Sequence, residues 1–169
     1  MNADMRATCE GLAAAGFTAV CPDLFWRHAD RKQGVPSYEA YDVDSSVRDV
    51  EATVAAARML GGRGSVGVLG FGLGGLLAFL TAARTRVDAA VAFHGGRTEE
   101  FLNEAPDVDA PLQMHFAEED EFMTTAAQQQ IIGALAGNAR AEFHMWPGRH
   151  HAFSSQSRER TLEFFERHL

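Results

Sequence analysis

The chain has 169 residues, 46% of them hydrophobic, with fifteen basic against twenty-three acidic side chains and a net charge of −8. That length supports one domain, 1–169, with a continuous core. The charge disfavours nucleic acid and anionic membrane surfaces, and the only basic run, Arg27 to Lys32, is short and interrupted by Asp30. With no apolar run long enough to span a bilayer and no signal peptide in the sequence, a cytoplasmic protein is expected.

In chain order, Met5, Cys9 and Leu12 share one face of a helix predicted over Met1 to Gly16, where the glycine is a natural stop. Phe17 to Cys21 reads as a short strand ended by Pro22-Asp23. A polar loop over 24–37 carries the aromatic knot Leu24, Phe25 and Trp26, read as cover for the sheet edge or as a ligand contact. From Asp44 or Ser45 to Leu60, Val47, Val50, Val54 and Ala57 form one buried stripe, and Gly61-Gly62 ends that helix. The two cysteines lie in apolar segments, suiting a reducing compartment, and Cys21 at a strand end reads as a buried structural thiol.

The stretch Ser65 to Leu77 organises the rest. Val66 to Leu69 is a strand, a glycine-rich turn follows, and Leu76, Leu77, Phe79 and Leu80 begin a buried helix. That is the layout of a nucleophile elbow, in which a sharp turn lifts one side chain above the sheet. Its five positions are Gly70, Phe71, Gly72, Leu73 and Gly74, so the attacking residue is replaced by Gly72. Val87 to Phe93 and Leu112 to Phe116 read as strands, and the second runs into the acidic turn Glu118 to Glu121. A helix through Ile131, Ile132 and Leu135 stops at Gly137-Asn138. Ala141 to Trp146 is a last strand, and Leu162, Phe165 and Leu169 mark a closing helix. Five strands alternating with helices give an α/β class: a mostly parallel sheet with helices on both faces. Ligands of such sheets gather at the carboxyl ends of the strands, which places Cys21 to Asp23, Phe71 to Leu73, His94, Asp120 and His150 to Phe153 around one rim.

Four stretches resemble the dienelactone hydrolases, or carboxymethylenebutenolidases, a branch of the α/β-hydrolase fold: Gly16 to Leu24, Val66 to Gly75, Pro111 to Asp120, and His151-Ala152-Phe153. The resemblance implies a Cys-His-Asp triad, putting Gly72 at the nucleophile, Asp120 at the acid and His151 at the base, with no cofactor and a small ester or lactone as partner. Phe71, Leu73, His94 and Phe153 then become substrate or oxyanion contacts, with the Leu73 N–H as one oxyanion donor. The sequence departs from the family in three ways. Gly72 removes the thiol that would form the acyl-enzyme. The family's front strands, one of which neighbours the elbow strand mid-sheet, are not in this sequence, so the chain is expected to be N-terminally short. The sheet then closes up, a second copy fills the gap in a homo-oligomer, or the chain is a fragment. Where the family places an arginine after His-x-Phe, Ser154 and Ser155 stand, with Arg149 and Arg158 off register. A three-histidine metal site from His115, His144 and His150 or His151 is conceivable, but no HxH or HExxH spacing supports it, and no metal is expected. Two functions stay open: an ester or lactone hydrolase impaired at Gly72, or a non-catalytic binding or assembly module that keeps the pocket.

Overall fold

The computed structural model describes residues 3–26, 41–60, 64–151 and 157–169. Most of the expected 24–37 loop, the Gly61-Gly62 stop, Phe153, Ser154 and Ser155 lie outside the described residues. The chain divides into two compact units, Met1–Gly64 and Ser65–Leu169.

In the first unit, α1 (Ala3–Ala14) keeps Met5, Cys9 and Leu12 on its half-buried side. Gly16, at a φ of 92°, reverses the chain, and the Phe17 N–H bonds back to the Leu12 carbonyl at 3.1 Å. The predicted strand at Phe17 to Cys21 does not form; the segment joins no ladder, so the described sheet has four strands rather than five. A short apolar run reports burial, whereas a strand also needs a neighbour to take its backbone hydrogen bonds. Cys21 is likewise exposed rather than buried, which corrects its reading as a structural thiol. The aromatic knot is tied locally: Phe25 meets Tyr41 edge to face at 5.6 Å, and the Trp26 indole N–H donates to Asp49 at 2.9 Å. Asp49 belongs to α2 (Val43–Leu60), which Asp42 caps by accepting the Ser45 N–H at 3.0 Å. Val43, Val47 and Val54 are its buried apolar stripe.

The second unit is a four-stranded parallel sheet in the order β1-β2-β3-β4, made of β1 (Gly67–Phe71), β2 (Ala89–Phe93), β3 (Leu112–Ala117) and β4 (Ala141–Trp146). Sequential order with parallel pairing requires a crossover after each strand. The crossovers are α3 (Leu73–Arg84), a 3-10 segment over Thr98–Asp107, and α4 (Thr125–Leu135); α5 (Arg158–His168) closes the unit. The α/β class holds. Glycines show how closely the layers approach. A Cβ on Gly70 would lie 1.8 Å from the Gly74 carbonyl oxygen at the start of α3, and one on Gly67 would meet Phe165 of α5 at 2.8 Å. Positions 67 and 70 point to opposite sides of a pleated strand, so α3 and α5 cover opposite faces of β1.

The core is apolar where both faces are covered. β2 is buried along its whole length, as are Leu76, Leu77, Phe79 and Leu80 of α3. On the α5 side, ladder partners Phe71, Phe93, His115 and His144 form one row across all four strands. Phe93 stacks on Phe71 at 4.9 Å and on His115 at 4.1 Å, and His115 stacks on His144 at 5.0 Å. The fully buried His115 ring fits because both nitrogens are used: Nδ1 accepts the Trp146 indole N–H at 3.0 Å, and Nε2 faces the Gln113 side-chain oxygen at 2.9 Å. Burial, with His144 and Arg160 nearby, lowers its pKa to about 3, so the ring is neutral.

Thr124 caps α4, its hydroxyl accepting the Ala127 N–H at 3.1 Å. Thr124→Ala is expected to cost about 1 kcal/mol in urea unfolding with an unchanged m-value. A change within experimental error would show that water replaces the cap at no cost.

Candidate active site

The elbow forms where the glycines place it. Gly72 is the N-cap of α3 with φ 55° and ψ −120°, a region closed to ordinary side chains unless the surroundings hold them there. Its N–H donates to the Phe93 carbonyl at 3.0 Å and to His94 Nδ1 at 3.2 Å, which fastens the turn to the end of β2. Gly75 and Gly95 allow this: a Cβ on Gly75 would stand 2.5 Å from the Phe93 oxygen. Leu73 is the first helical residue of α3, so no intrahelical carbonyl can reach its N–H.

Asp120 and His151 come together from the loops after β3 and β4. Two backbone bonds join those loops: the Glu118 N–H to the Trp146 carbonyl at 3.1 Å, and the Glu119 N–H to the Arg149 carbonyl at 2.9 Å. The Asp120 side chain has no exposed surface; Oδ1 accepts the N–H groups of Phe122 and Met123, each at 2.9 Å. His151 Nδ1 lies 2.9 Å from both Asp120 oxygens, with the imidazole 19% exposed. A carboxylate can only accept there, so Nδ1–H is the donor, and in the neutral tautomer the lone pair is on Nε2. Glu121 accepts the His151 backbone N–H at 3.1 Å; a hydrogen bond to its own backbone first, and this one second, lower the Glu121 pKa.

His94 is the link between the two halves. It is 4% exposed, has a positive φ of 37°, and its ring centre is 4.2 Å from that of His151. Burial first, and the His151 neighbour second, lower its pKa to about 4. With Nδ1 accepting from Gly72, the neutral ring carries its proton on Nε2. The structure therefore assembles Gly72, Leu73, His94, Asp120 and His151, with Phe71 anchored by its stack on Phe93. Phe122 was not foreseen: it is 77% exposed, and its ring lies edge to face with His151 at 4.9 Å. The sequence signal was an aromatic residue closing an acidic run. His150 is exposed and pairs with Glu121 at 2.9 Å and Glu119 at 3.4 Å. His115 and His144 stack in the sheet row instead of converging with it, and among the described residues no group of three metal-binding side chains forms. No helix among the described residues is long and apolar enough to cross a membrane.

Comparison with known proteins decides the family. The dienelactone hydrolase family pattern matches residues 1–167. The chain belongs to the dienelactone hydrolase family. It is 34% identical to a carboxymethylenebutenolidase of Pseudomonas putida over 169 aligned residues, covering 93% of this chain and 72% of that protein. Carboxymethylenebutenolidase 1 of Cupriavidus pinatubonensis is 31% identical, over 90% of this chain and 70% of its own. Among solved structures, a candidate dienelactone hydrolase of Klebsiella pneumoniae superposes with a TM-score of 0.87 at 24% identity, over 99% of this chain and 82% of that one. Esterase PE8 superposes with a TM-score of 0.62 at 18% identity, over 75% and 62%. These two likenesses speak for the fold.

Proposed function

We propose that this dienelactone hydrolase-family chain carries the acid and base of a carboxylic ester or lactone hydrolase, with the nucleophile position vacated by Gly72. The observation that carries the reading is the Asp120–His151 pair, both carboxylate oxygens 2.9 Å from Nδ1, set beside an elbow at φ 55° and ψ −120°. In the full chemistry a thiolate at position 72 attacks the carbonyl and the oxyanion takes the Leu73 N–H. His151 then delivers its proton to the leaving alkoxide, and a water deprotonated by His151 frees the acid. Asp120 holds the tautomer that leaves Nε2 free. His94 holds the elbow N–H, and Phe122 offers an apolar edge for the acyl or alcohol group. Family membership and the carboxymethylenebutenolidase names of the relatives support a small ester or lactone as the substrate.

Gly72 itself favours a second reading, in which the pocket binds without turnover. Hydrolysis of a small activated ester and of a dienelactone, by the chain and by Gly72→Cys, separates them. Turnover by the cysteine variant, abolished by His151→Ala, supports the hydrolase reading. Silence in both overturns it and leaves the binding module.

A further inference from the structure

Gly72 and His151 meet the same buried imidazole. His94 accepts the Gly72 N–H on Nδ1 at 3.2 Å, and its ring centre stands 4.2 Å from that of His151, so the base is held beside a position with no side chain. That hold uses only the backbone of residue 72. The Asp120 side chain is fully buried, is fixed by the Phe122 and Met123 N–H groups, and sets both oxygens 2.9 Å from His151 Nδ1. The His151 imidazole is 19% exposed, so solvent reaches it. On the elbow side, a Cβ on Gly74 would meet nothing within 4 Å among the described residues, next to the Leu73 N–H that no helical carbonyl takes. A substrate carbonyl can approach there.

We propose, on the reading of Asp120 and His151 as acid and base, that the chain with Gly72 in place is itself a slow single-displacement esterase, in which His151 activates a water that attacks the carbonyl directly. His151 Nε2 takes one proton from the water as the water oxygen bonds to the carbonyl carbon, and the carbonyl electron pair moves onto oxygen beside the Leu73 N–H. The adduct then collapses. The bond to the alcohol oxygen breaks, and that oxygen takes the proton from Nε2. One carboxylic acid and one alcohol leave, nothing is oxidised or reduced, and no bond to the protein forms. Water is a weaker nucleophile than a thiolate, so the substrate class narrows to esters whose alcohol is a good leaving group, aryl esters before alkyl esters. A positioned general base contributes about 10²- to 10⁴-fold, small beside a complete triad and large beside solvent alone.

The test follows hydrolysis of p-nitrophenyl acetate by the full chain, His151→Ala, His151→Gln and Gly72→Cys, each checked for folding by circular dichroism, with intact masses taken from samples quenched during turnover. The unmodified chain should show a kcat/KM about 10²-fold above either His151 variant, a slower rate in D2O than in H2O, and no acetyl group on the protein. Gly72→Cys should instead accumulate an acetylated chain. An unmodified chain no faster than the His151 variants overturns the proposal, as does a rate unchanged in D2O. An acetyl group on a histidine also overturns it, since the imidazole would then be the nucleophile. A silent parent beside an active Gly72→Cys overturns this proposal alone, whereas silence in both overturns the hydrolase reading with it.

Discussion

Gly72→Cys is expected to raise the rate of hydrolysis of a small activated ester by about 10³- to 10⁴-fold while lowering the stability of the chain. Restoring a nucleophile beside an intact base and acid is worth roughly 10⁶-fold in kcat where every other part is present. Among the described residues the elbow supplies one oxyanion donor, the Leu73 N–H, and a site one donor short loses about 10²- to 10³-fold. The difference sets the expected range. The cost arises at the backbone: at φ 55° and ψ −120° glycine is comfortable, whereas an L side chain is strained by about 1–3 kcal/mol. Activity and stability should therefore move in opposite directions in one variant, measured by ester turnover and urea unfolding. Gly72→Ala separates the effects, since it carries the strain without the thiol. If Gly72→Cys gains activity with no loss of stability, the elbow relaxes around the new side chain; if it loses stability with no activity, His151 cannot reach the thiol.

The elbow was legible because its signal is local. Glycines at 70, 72, 74 and 75 between an apolar strand and an apolar helix allow few other arrangements, and the close approaches at Gly70 and Gly75 give the reason. Asp120 and His151 fell on the rim as residues following strands, but their pairing as acid and base was legible only through family resemblance, since they are 31 positions apart and meet through backbone bonds between two loops that no periodicity announces. Phe17 to Cys21 misled because a short apolar run describes a half-buried segment, and pairing depends on what lies beside it. The 3-10 segment at Thr98–Asp107 carries Pro106 and a non-helical Phe101, so it offered no 3.6-residue stripe. His94 was placed on the rim by its position after a strand, but its grip on the Gly72 N–H depends on a positive φ that the sequence does not display.

The second large effect is on acid stability, and it comes from the same buried imidazoles. His115 and His94 are 0% and 4% exposed, with pKa lowered from an ordinary value of 6.5 to about 3 and about 4. Burial is the leading cause at both. A histidine whose pKa is depressed by folding binds its proton more readily in the unfolded chain, so its contribution is fully present above pH 6.5 and is lost as pH falls from there toward the folded value. At pH 5 each should have withdrawn about 2 kcal/mol, most of it before the carboxylates begin to titrate. His144 and His168, also lowered by burial, act in the same direction. Urea unfolding at about pH 7.5 and pH 5 should therefore show a loss of at least about 4 kcal/mol in the unmodified chain. His115→Gln can still accept the Trp146 N–H and donate to Gln113, so it should recover about 2 kcal/mol of that pH-dependent loss while giving up the stack on Phe93 at both pH values. A variant as acid-sensitive as the parent would mean that His115 titrates normally. The sheet row would then have to open to water near neutral pH, which its packing between Phe93 and His144 does not allow.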